Sequence, residues 1–340
     1  VTAPFEPADP PIAKSPRGHS ARTSDVIVDT LGTRGDTARM SVPAGVHDRP
    51  YNLLAPAELA DPYPTWGEAR SEYPVFRSGI TGIWYLTRHA DIVAALRNPQ
   101  AFSSAFAGHS FVDDIPASRR ADLAAAMVDF PEPSRFLVTS DAPEHSRRRG
   151  LSQVAFSPGR VRALEPMITS IATSLCDRME SGGQADLMAD FAYPLSTRVI
   201  AGILGLDDAL VPSMQQVSED LLVLSQARGV TLSDDEVDAV LTRVARIAQM
   251  HRGIARIVTQ RRAHGEDDLI TALLEARLDD GSQLDDVDVI ALTFELMLAG
   301  TDTTANLIAH AVLYSAATPS WPALAGDRRL TESLVEETLR

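Results

Sequence analysis

The chain has 340 residues, of which 44% are hydrophobic, and a formal net charge of −15. This balance is typical of a globular protein with a sizeable core. The acidic charge argues against a nucleic-acid partner, which would need a basic surface. The single cysteine, Cys176, cannot form an intrachain disulfide, so we expect a reducing, cytoplasmic location. No basic segment followed by an apolar one opens the sequence, so we expect no secretory signal.

The N-terminal region is rich in Pro, Ala, Asp, Arg and Ser and has few large apolar residues. Because such a composition buries too little surface to fold, we predict a disordered, Pro-rich leader over residues 1–50. Apolar runs at 75–77 and 83–86, separated by Ser-Gly and Thr-Gly steps, predict a β-hairpin. The irregular stretch 98–140 is long for a connection in a compact domain and indicates a lid or binding loop.

From residue 143 onward the apolar periodicity is almost entirely helical. We predict helices over 143–156, 159–181, 194–205, 209–227, 233–264, 267–278, 285–316 and 330–340. The predicted fold is therefore mainly α with a small β-sheet near the N-terminus, and residues 51–340 are expected to belong to a single domain. The long helix contains Glu295, Asp302 and His310, which makes a membrane span improbable.

The long helix contains the polar segment Ala-Gly-Thr-Asp-Thr-Thr at 299–304. Because glycine weakens a helix by about 1 kcal/mol and a buried aspartate needs a partner, this break indicates function. Asp302 and Thr303 pair an acid with an alcohol, which can pass protons into a dry site. Gly300 beside Ala299 would let a flat ligand approach the backbone. The alternatives are a cavity-facing polar patch or threonines bonded to their own helix.

A second segment, Asp-Ala-Pro-Glu-His-Ser-Arg-Arg-Arg at 141–149, starts a predicted helix that Asp141 can cap. His145 and Arg149 are four residues apart and share a helix face, where two donors would suit a carboxylate or phosphate. Arg147 and Arg148 point elsewhere and form a basic spot. The alternative interpretation is a solvated basic face.

Two further features are weak when taken alone. Glu337 and Arg340 lie three apart on the last predicted helix, where a surface ion pair would explain them. Cys176 follows a helical apolar stripe, so we interpret it as a small buried residue rather than a metal ligand. The sequence contains no nucleophile elbow, Walker loop or dinucleotide-binding glycine motif.

The three helical motifs occur in one order, and together they resemble the cytochrome P450 family, in particular its soluble bacterial-type members. The 141–149 segment resembles the family's C-helix motif, 299–304 its I-helix motif, and Glu337-Thr-Leu-Arg340 its K-helix E-x-x-R motif. The resemblance covers residues from about 53 to 340. It implies a cytochrome P450 fold that binds haem b.

The resemblance also implies a role for each motif. His145 and Arg149 would bond a haem propionate. Ala299 and Gly300 would line the distal side of the haem, and Asp302 and Thr303 would deliver protons to dioxygen. Glu337 and Arg340 would hold the haem-binding core. Arg147 and Arg148 would face an acidic ferredoxin.

The sequence departs from the family at the iron ligand. The family's axial cysteine lies in a loop F-x-x-G-x-x-x-C-x-G after the E-x-x-R motif, and Cys176 has no such context. We therefore expect no metal ligand in this chain, an axial cysteine beyond Arg340, and no catalysis by the fragment itself. The start at Val1 and the end at Arg340, inside an unfinished helix, indicate a partial reading frame.

The implied activity of the complete protein is monooxygenation. Electrons from a ferredoxin and a ferredoxin reductase, together with O2, would hydroxylate or epoxidise a small apolar molecule. The enzyme is expected to be a monomer. Two alternatives remain at this point. One is a haem-free helical binding module that ends at Arg340. The other is a dehydratase, peroxygenase or ring-coupling member of the same family, which the threonine pair disfavours.

Overall fold

The computed structural model describes residues 48–49, 56–79, 83–105, 110–156, 158–207, 209–225, 231–317, 321–327 and 329–339. Packing divides the chain into two units, Val1–Phe102 and Ser103–Arg340. Most of the predicted leader lies outside the described residues. Its boundary at residue 50 is wrong, because Asp48–Arg49 form a strand. The single domain expected over 51–340 stays a prediction.

The first unit contains a three-stranded sheet, β1 (Asp48–Arg49), β2 (Val75–Ser78) and β3 (Trp84–Leu86), in the order β1-β2-β3. β1 is parallel to β2, whereas β2 and β3 are antiparallel, so the predicted hairpin is confirmed. The ring of the buried Phe76 stacks on that of Tyr85 at 5.2 Å, which anchors this pair of strands. The helices of this unit are α1 (Pro56–Ala60), α2 (Tyr63–Glu72) and α3 (His89–Leu96).

The described residues of the second unit form helices joined by turns and irregular segments, and no strand is found among them. Its helices are α4 (Arg120–Ala126), α5 (Glu144–Ala155), α6 (Pro158–Ala163), α7 (Glu165–Gly182), α8 (Tyr193–Leu204), α9 (Val211–Ser225), α10 (Asp234–Ala263), α11 (Leu269–Glu275), α12 (Asp286–Ala316), α13 (Trp321–Gly326) and α14 (Leu330–Leu339). The helix predicted over 159–181 is two helices. The break fits Pro166, since proline is favoured in a first turn and disrupts a helix interior.

The long helix α12 packs against α8, α9 and α10. Its first half is buried on nearly all sides, as its apolar composition predicts, and Phe294 and Met297 are fully buried. The ring of Phe294 stacks on Phe136 at 5.9 Å and meets His251 edge-on at 6.1 Å. Burial lowers the pKa of His251, although the nearby Asp129 opposes the effect.

A buried carboxylate joins α9 to α10. Asp220 is fully buried and accepts hydrogen bonds from Arg243 Nη1 at 2.6 Å and Arg246 Nε at 2.7 Å. Burial alone would raise the pKa of Asp220, but the bonds from Arg246 and Arg243 reverse this effect and lower it. The pair of arginines therefore keeps the buried charge compensated.

Among the described residues, one stretch, Leu187–Leu204, is long and apolar enough to cross a membrane by length and composition. It consists of a π-helical turn, Leu187–Ala192, followed by α8, and it packs against α7 and α12. Because core helices pass the same test, the stretch is weak evidence for a membrane span.

Candidate functional site

Three acidic residues, Asp288, Glu295 and Asp302, follow each other at intervals of seven along α12. Seven residues are nearly two helical turns, so the three side chains lie along one stripe of the helix. Sequence reasoning singled out Asp302 only. The seven-residue spacing is the signal that could have found the other two. The three carboxylates differ in what compensates them.

Asp288 is compensated by arginines. Its side chain is 1% exposed, and its carboxylate accepts hydrogen bonds from Arg147 Nη2 at 2.8 Å and Arg135 Nη1 at 3.3 Å. Arg148 Nε lies 3.2 Å from the same carboxylate. The cluster ties α5 and the 3₁₀ turn Pro133–Arg135 to the first turn of α12.

This cluster corrects the interpretation of Arg147 and Arg148 as an exposed basic spot. The Arg148 side chain is 6% exposed and donates from Nη1 to Ser140 Oγ at 2.9 Å. Arg147 is bonded to Asp288, which raises its pKa against the effect of burial. Position 148 shares the buried face of α5 with Leu151, three residues on, so its charge is directed inward.

Glu295 is compensated by backbone donors. Its carboxylate accepts hydrogen bonds from the N–H groups of Leu137 and Val138, each at 2.8 Å. The predicted capping role of Asp141 is wrong, because the N-cap position of α5 is Pro143 and has no side-chain bond. Asp141 instead accepts from the Ser104 N–H at 2.8 Å. Carboxylates therefore hold two points of the irregular segment that lie in this unit, one at Ser104 and one at Leu137 and Val138.

Asp302 has no such compensation. Its Oδ1 atom is buried without a hydrogen-bond partner in the described part of the chain, and no arginine or histidine there forms an ion pair with it. Burial raises the pKa of Asp302, and the negative charge of Glu219 raises it further. The pKa of Tyr193 is also raised, first by burial and then by Asp302. The surroundings favour the protonated carboxyl group, which can serve as an acid.

Thr303 lies beside this acid on an exposed face of α12. Its Oγ1 donates to Ala299 O at 2.6 Å, and Thr301 Oγ1 donates to Met297 O at 2.8 Å. Both threonines therefore bond to the backbone of their own helix, which agrees with the second alternative given for this segment. Thr303 and Ala299 are nevertheless exposed, whereas Thr301 is fully buried. The lone pairs of Thr303 Oγ1 remain available to a bound group.

Gly300 does not open space for a ligand at its side-chain position. A Cβ atom there would lie 2.8 Å from Cγ1 and 2.9 Å from Cδ1 of Ile200 on α8. The expectation that Gly300 and Ala299 together leave a gap is therefore wrong for Gly300, whose small size allows α8 and α12 to pack closely.

We expect Gly300→Ala to lower the free energy of unfolding by about 1–3 kcal/mol, since the new methyl group overpacks Ile200. Gly150→Ala is the matched control, because a Cβ there would meet Leu278 at an ordinary 3.4 Å. Within α5 this control should gain about 0.5–1 kcal/mol of stability. Urea unfolding measures both variants, and equal gains in the two would contradict the packing role.

His145 and Arg149 lie one turn apart on α5. His145 is half-buried and Arg149 is exposed, and neither side chain makes a hydrogen bond or ion pair within the described ranges. Their donors therefore remain available to an anion. No hydrogen bond among these residues joins them to the 299–304 segment; the two helices are linked instead through Asp288.

The remaining predicted residues are less informative. Cys176 is exposed on α7, next to the fully buried Leu175, so its interpretation as a buried residue is wrong. One residue along a helix is a rotation of about 100°, which carries the thiol off the buried stripe. Glu337 is exposed on α14, and Arg340 lies outside the described residues, so their pairing stays a prediction.

Comparison with known proteins identifies the family. A profile of the family described as Cytochrome P450 matches residues 83–322. The chain belongs to the cytochrome P450 family. The resemblance inferred from the three motifs and the predicted fold class are both confirmed.

Named P450 relatives include two enzymes. The vitamin D(3) 25-hydroxylase of Pseudonocardia autotrophica is 30% identical over 293 residues, covering 85% of this chain and 66% of that protein. The cyclomarin C epoxidase CymV of Salinispora arenicola is 33% identical over 275 residues, covering 80% and 65%. The chain thus spans less than two thirds of these relatives' own length. The structure of cytochrome P450 CYP109Q5 from Chondromyces apiculatus superposes with a TM-score of 0.64 at 25% identity, covering 84% of this chain and 67% of that one.

Cytochromes P450 bind haem b, and part of the geometry fits this group. The unpaired donors of His145 and Arg149 suit its propionates. Ala299 and Thr303, one turn apart on α12, leave a shared stretch of the helix surface exposed. The described residues include no cluster of three or more possible metal-ligating side chains. The only cysteine, Cys176, is exposed within a helix, so the chain fits the periphery and one face of the haem but not its thiolate ligation.

Proposed function

We propose that the protein to which this chain belongs is a haem-dependent monooxygenase that uses O2 to hydroxylate or epoxidise a small apolar molecule. The named hydroxylase and epoxidase among its relatives support this assignment. The observation that carries it is the unpaired acid Asp302 beside the exposed hydroxyl of Thr303. A carboxyl group with a raised pKa next to an alcohol is suited to deliver protons.

Each residue of the site would have one task. His145 and Arg149 would bond the haem propionates, and Ala299 would lie against the distal face. Asp302 would hold a proton at its carboxyl group and pass it to Oγ1 of Thr303. When bound through a cysteine thiolate, haem supplies the oxygen-activating chemistry.

The substrate pocket would be formed by the 98–140 segment, by α9 and α10, and by α12. A cavity of about 90 Å³ lies between the 98–140 segment, α9 and α10. Its lining is mixed: Phe111, Leu224, Leu232 and Val240 are apolar, whereas Asp114, Glu236 and Arg243 are charged. The apolar part of this lining supports an apolar substrate. The cavity is small for a substrate.

The proposed partners are a ferredoxin and a ferredoxin reductase, with the enzyme acting as a cytoplasmic monomer. The contacts of Arg147 and Arg148 argue against these two residues as the surface that faces the ferredoxin. Arg148 is buried and Arg147 is bonded to Asp288, so this pair offers little free charge to an acidic partner. We therefore assign no residue of α5 to the redox-partner surface.

The thiolate ligand provides the test of this function. We propose that it comes from an F-x-x-G-x-x-x-C-x-G loop following Arg340. The complete protein, loaded with haem, reduced and treated with CO, should show the red-shifted Soret band of thiolate ligation. The 340-residue chain treated in the same way should not show that band. Absence of the band from the complete protein would refute the function, and its presence in the short chain would make Cys176 the ligand.

A further inference from the structure

A groove of about 260 Å³ runs between α9 and α12. Its lining residues are Ser218, Leu221, Leu222, Ser225, Leu298 and Asp302. Two polar atoms in this lining, Ser218 Oγ and Asp302 Oδ1, are buried without a hydrogen-bond partner among the described residues. They come from facing helices and line the same space.

Such a pair needs an explanation, because buried polar atoms in native proteins are nearly always hydrogen-bonded. The two groups are chemically complementary. The hydroxyl of Ser218 can donate to an ionised Asp302 and can accept from a protonated one. A water molecule occupies about 30 Å³ in the liquid, so the groove has room for several. Ser218 and Asp302 can thus be satisfied by each other after a side-chain rotation, or through water.

The charged surroundings of the groove favour proton entry. Glu219, the neighbour of Ser218, is exposed at the surface, where its carboxylate accepts from Gln215 Nε2 at 3.0 Å and Gln216 Nε2 at 3.4 Å. Its charge acts on Asp302, and the phenol of Tyr193 also lies within range of both carboxyl groups. No cation in the described part of the chain neutralises Asp302. The negative charge of Glu219 would raise the local proton concentration beside Ser218.

Ser225 provides an internal comparison in the same groove. Its hydroxyl donates to Leu222 O at 2.7 Å, one turn back along α9. Its proton is therefore engaged with the backbone. Ser218, buried to 5% exposure with no such bond, is the groove hydroxyl that is placed for another role.

We propose that Ser218 is a relay residue that passes protons from water in the groove to Asp302. Ser218 Oγ accepts a hydrated proton from the groove as its own hydroxyl proton moves to Asp302 Oδ1. Only O–H bonds form and break, and no electron is transferred. This inference rests on the proposed proton-delivering role of Asp302 and adds its source of protons.

The test compares Ser218→Ala with Ser225→Ala in the complete haem-loaded protein. Infrared spectroscopy identifies the Asp302 carboxyl band as the one lost in Asp302→Asn. We expect Ser218→Ala to shift this band and to slow product formation about tenfold, within the range of general acid–base effects. Ser225→Ala should change neither. A second pair, Ser218→Thr and Ser218→Val, has nearly equal volume and differs in the hydroxyl, so a defect in Val alone excludes a packing effect.

The outcomes distinguish the relay role of Ser218 from the proton-delivering role of Asp302 on which it rests. An unshifted Asp302 band and normal product formation in both Ser218→Ala and Ser218→Val would overturn the relay while Asp302→Asn still slows the enzyme. Normal product formation in Asp302→Asn would overturn the proton-delivering role itself, and the relay with it. Equal defects in Ser218→Thr and Ser218→Val would also contradict the relay, because the hydroxyl would then be without effect.

Discussion

Asp288→Ala is expected to lower the free energy of unfolding by about 3–5 kcal/mol, the cost of leaving buried charge uncompensated. Removal of this carboxylate leaves the almost completely buried Arg148 without an ion pair among the described residues, whereas Arg135 keeps Asp285 and Arg147 keeps Glu144. Arg135 and Arg147 are about one third exposed and can turn toward solvent. Arg148 cannot do so without disturbing the face of α5 that carries Leu151 into the core.

Asp286→Ala is the matched control for this loss. Asp286 lies in the same first turn of α12, so both substitutions remove the same favourable interaction with the helix dipole. Its ion pair with Arg262 is exposed on both sides and is worth at most about 1 kcal/mol. Urea unfolding of the two variants measures the difference. Equal losses would show that the Asp288 cluster adds nothing beyond the helix terminus.

The secondary structure of the second unit follows closely from local sequence signals. The ends of α12 and α10 lie within one residue of their predicted positions, because both begin with strong capping residues. Asp285 accepts from the Asp288 N–H at 2.6 Å, and Ser233 forms a capping box with Glu236. These signals act over a few residues and do not depend on tertiary packing.

The direction of individual side chains could not be predicted in the same way. Arg148 and Cys176 each lie at the edge of the apolar face of a helix. The local pattern predicted an outward-facing Arg148 and a buried Cys176, whereas Arg148 is buried and Cys176 is exposed. Which face of α5 is buried depends on Asp288, 140 residues later in the chain. Contacts over such separations leave no periodic signal in a single sequence. The same holds for Gly300, whose neighbour Ile200 belongs to another helix.

The part of the candidate site that could be predicted from the sequence is the part whose residues are unusual for a helix interior. Asp302 and Thr303 stood out because a helix interior rarely carries an acid next to an alcohol. The structure adds the contrast along the stripe. Asp288 is compensated by arginines and Glu295 by two backbone donors, whereas Asp302 Oδ1 has no partner among the described residues. This difference marks Asp302 as the one of the three carboxylates that we propose as the acid.

Thr303→Ala is expected to reduce product formed per electron by about tenfold or more in the complete enzyme, with peroxide released instead. The substitution removes the hydroxyl that would receive the proton of Asp302. Folding should change little, because Thr303 is exposed and its hydroxyl donates to Ala299 O, a carbonyl group that the helix backbone already uses as an acceptor. Thr303→Ser keeps the hydroxyl and should retain most of the coupling.

Thr304→Ala is the control variant, since Thr304 is the next residue of α12 and is also exposed. The ratio of product to electrons consumed, measured for the wild type and for both alanine variants, tests the proton-delivering site most directly. The account predicts a collapse of this ratio in Thr303→Ala and a nearly unchanged ratio in Thr304→Ala. An unchanged ratio in Thr303→Ala would contradict it.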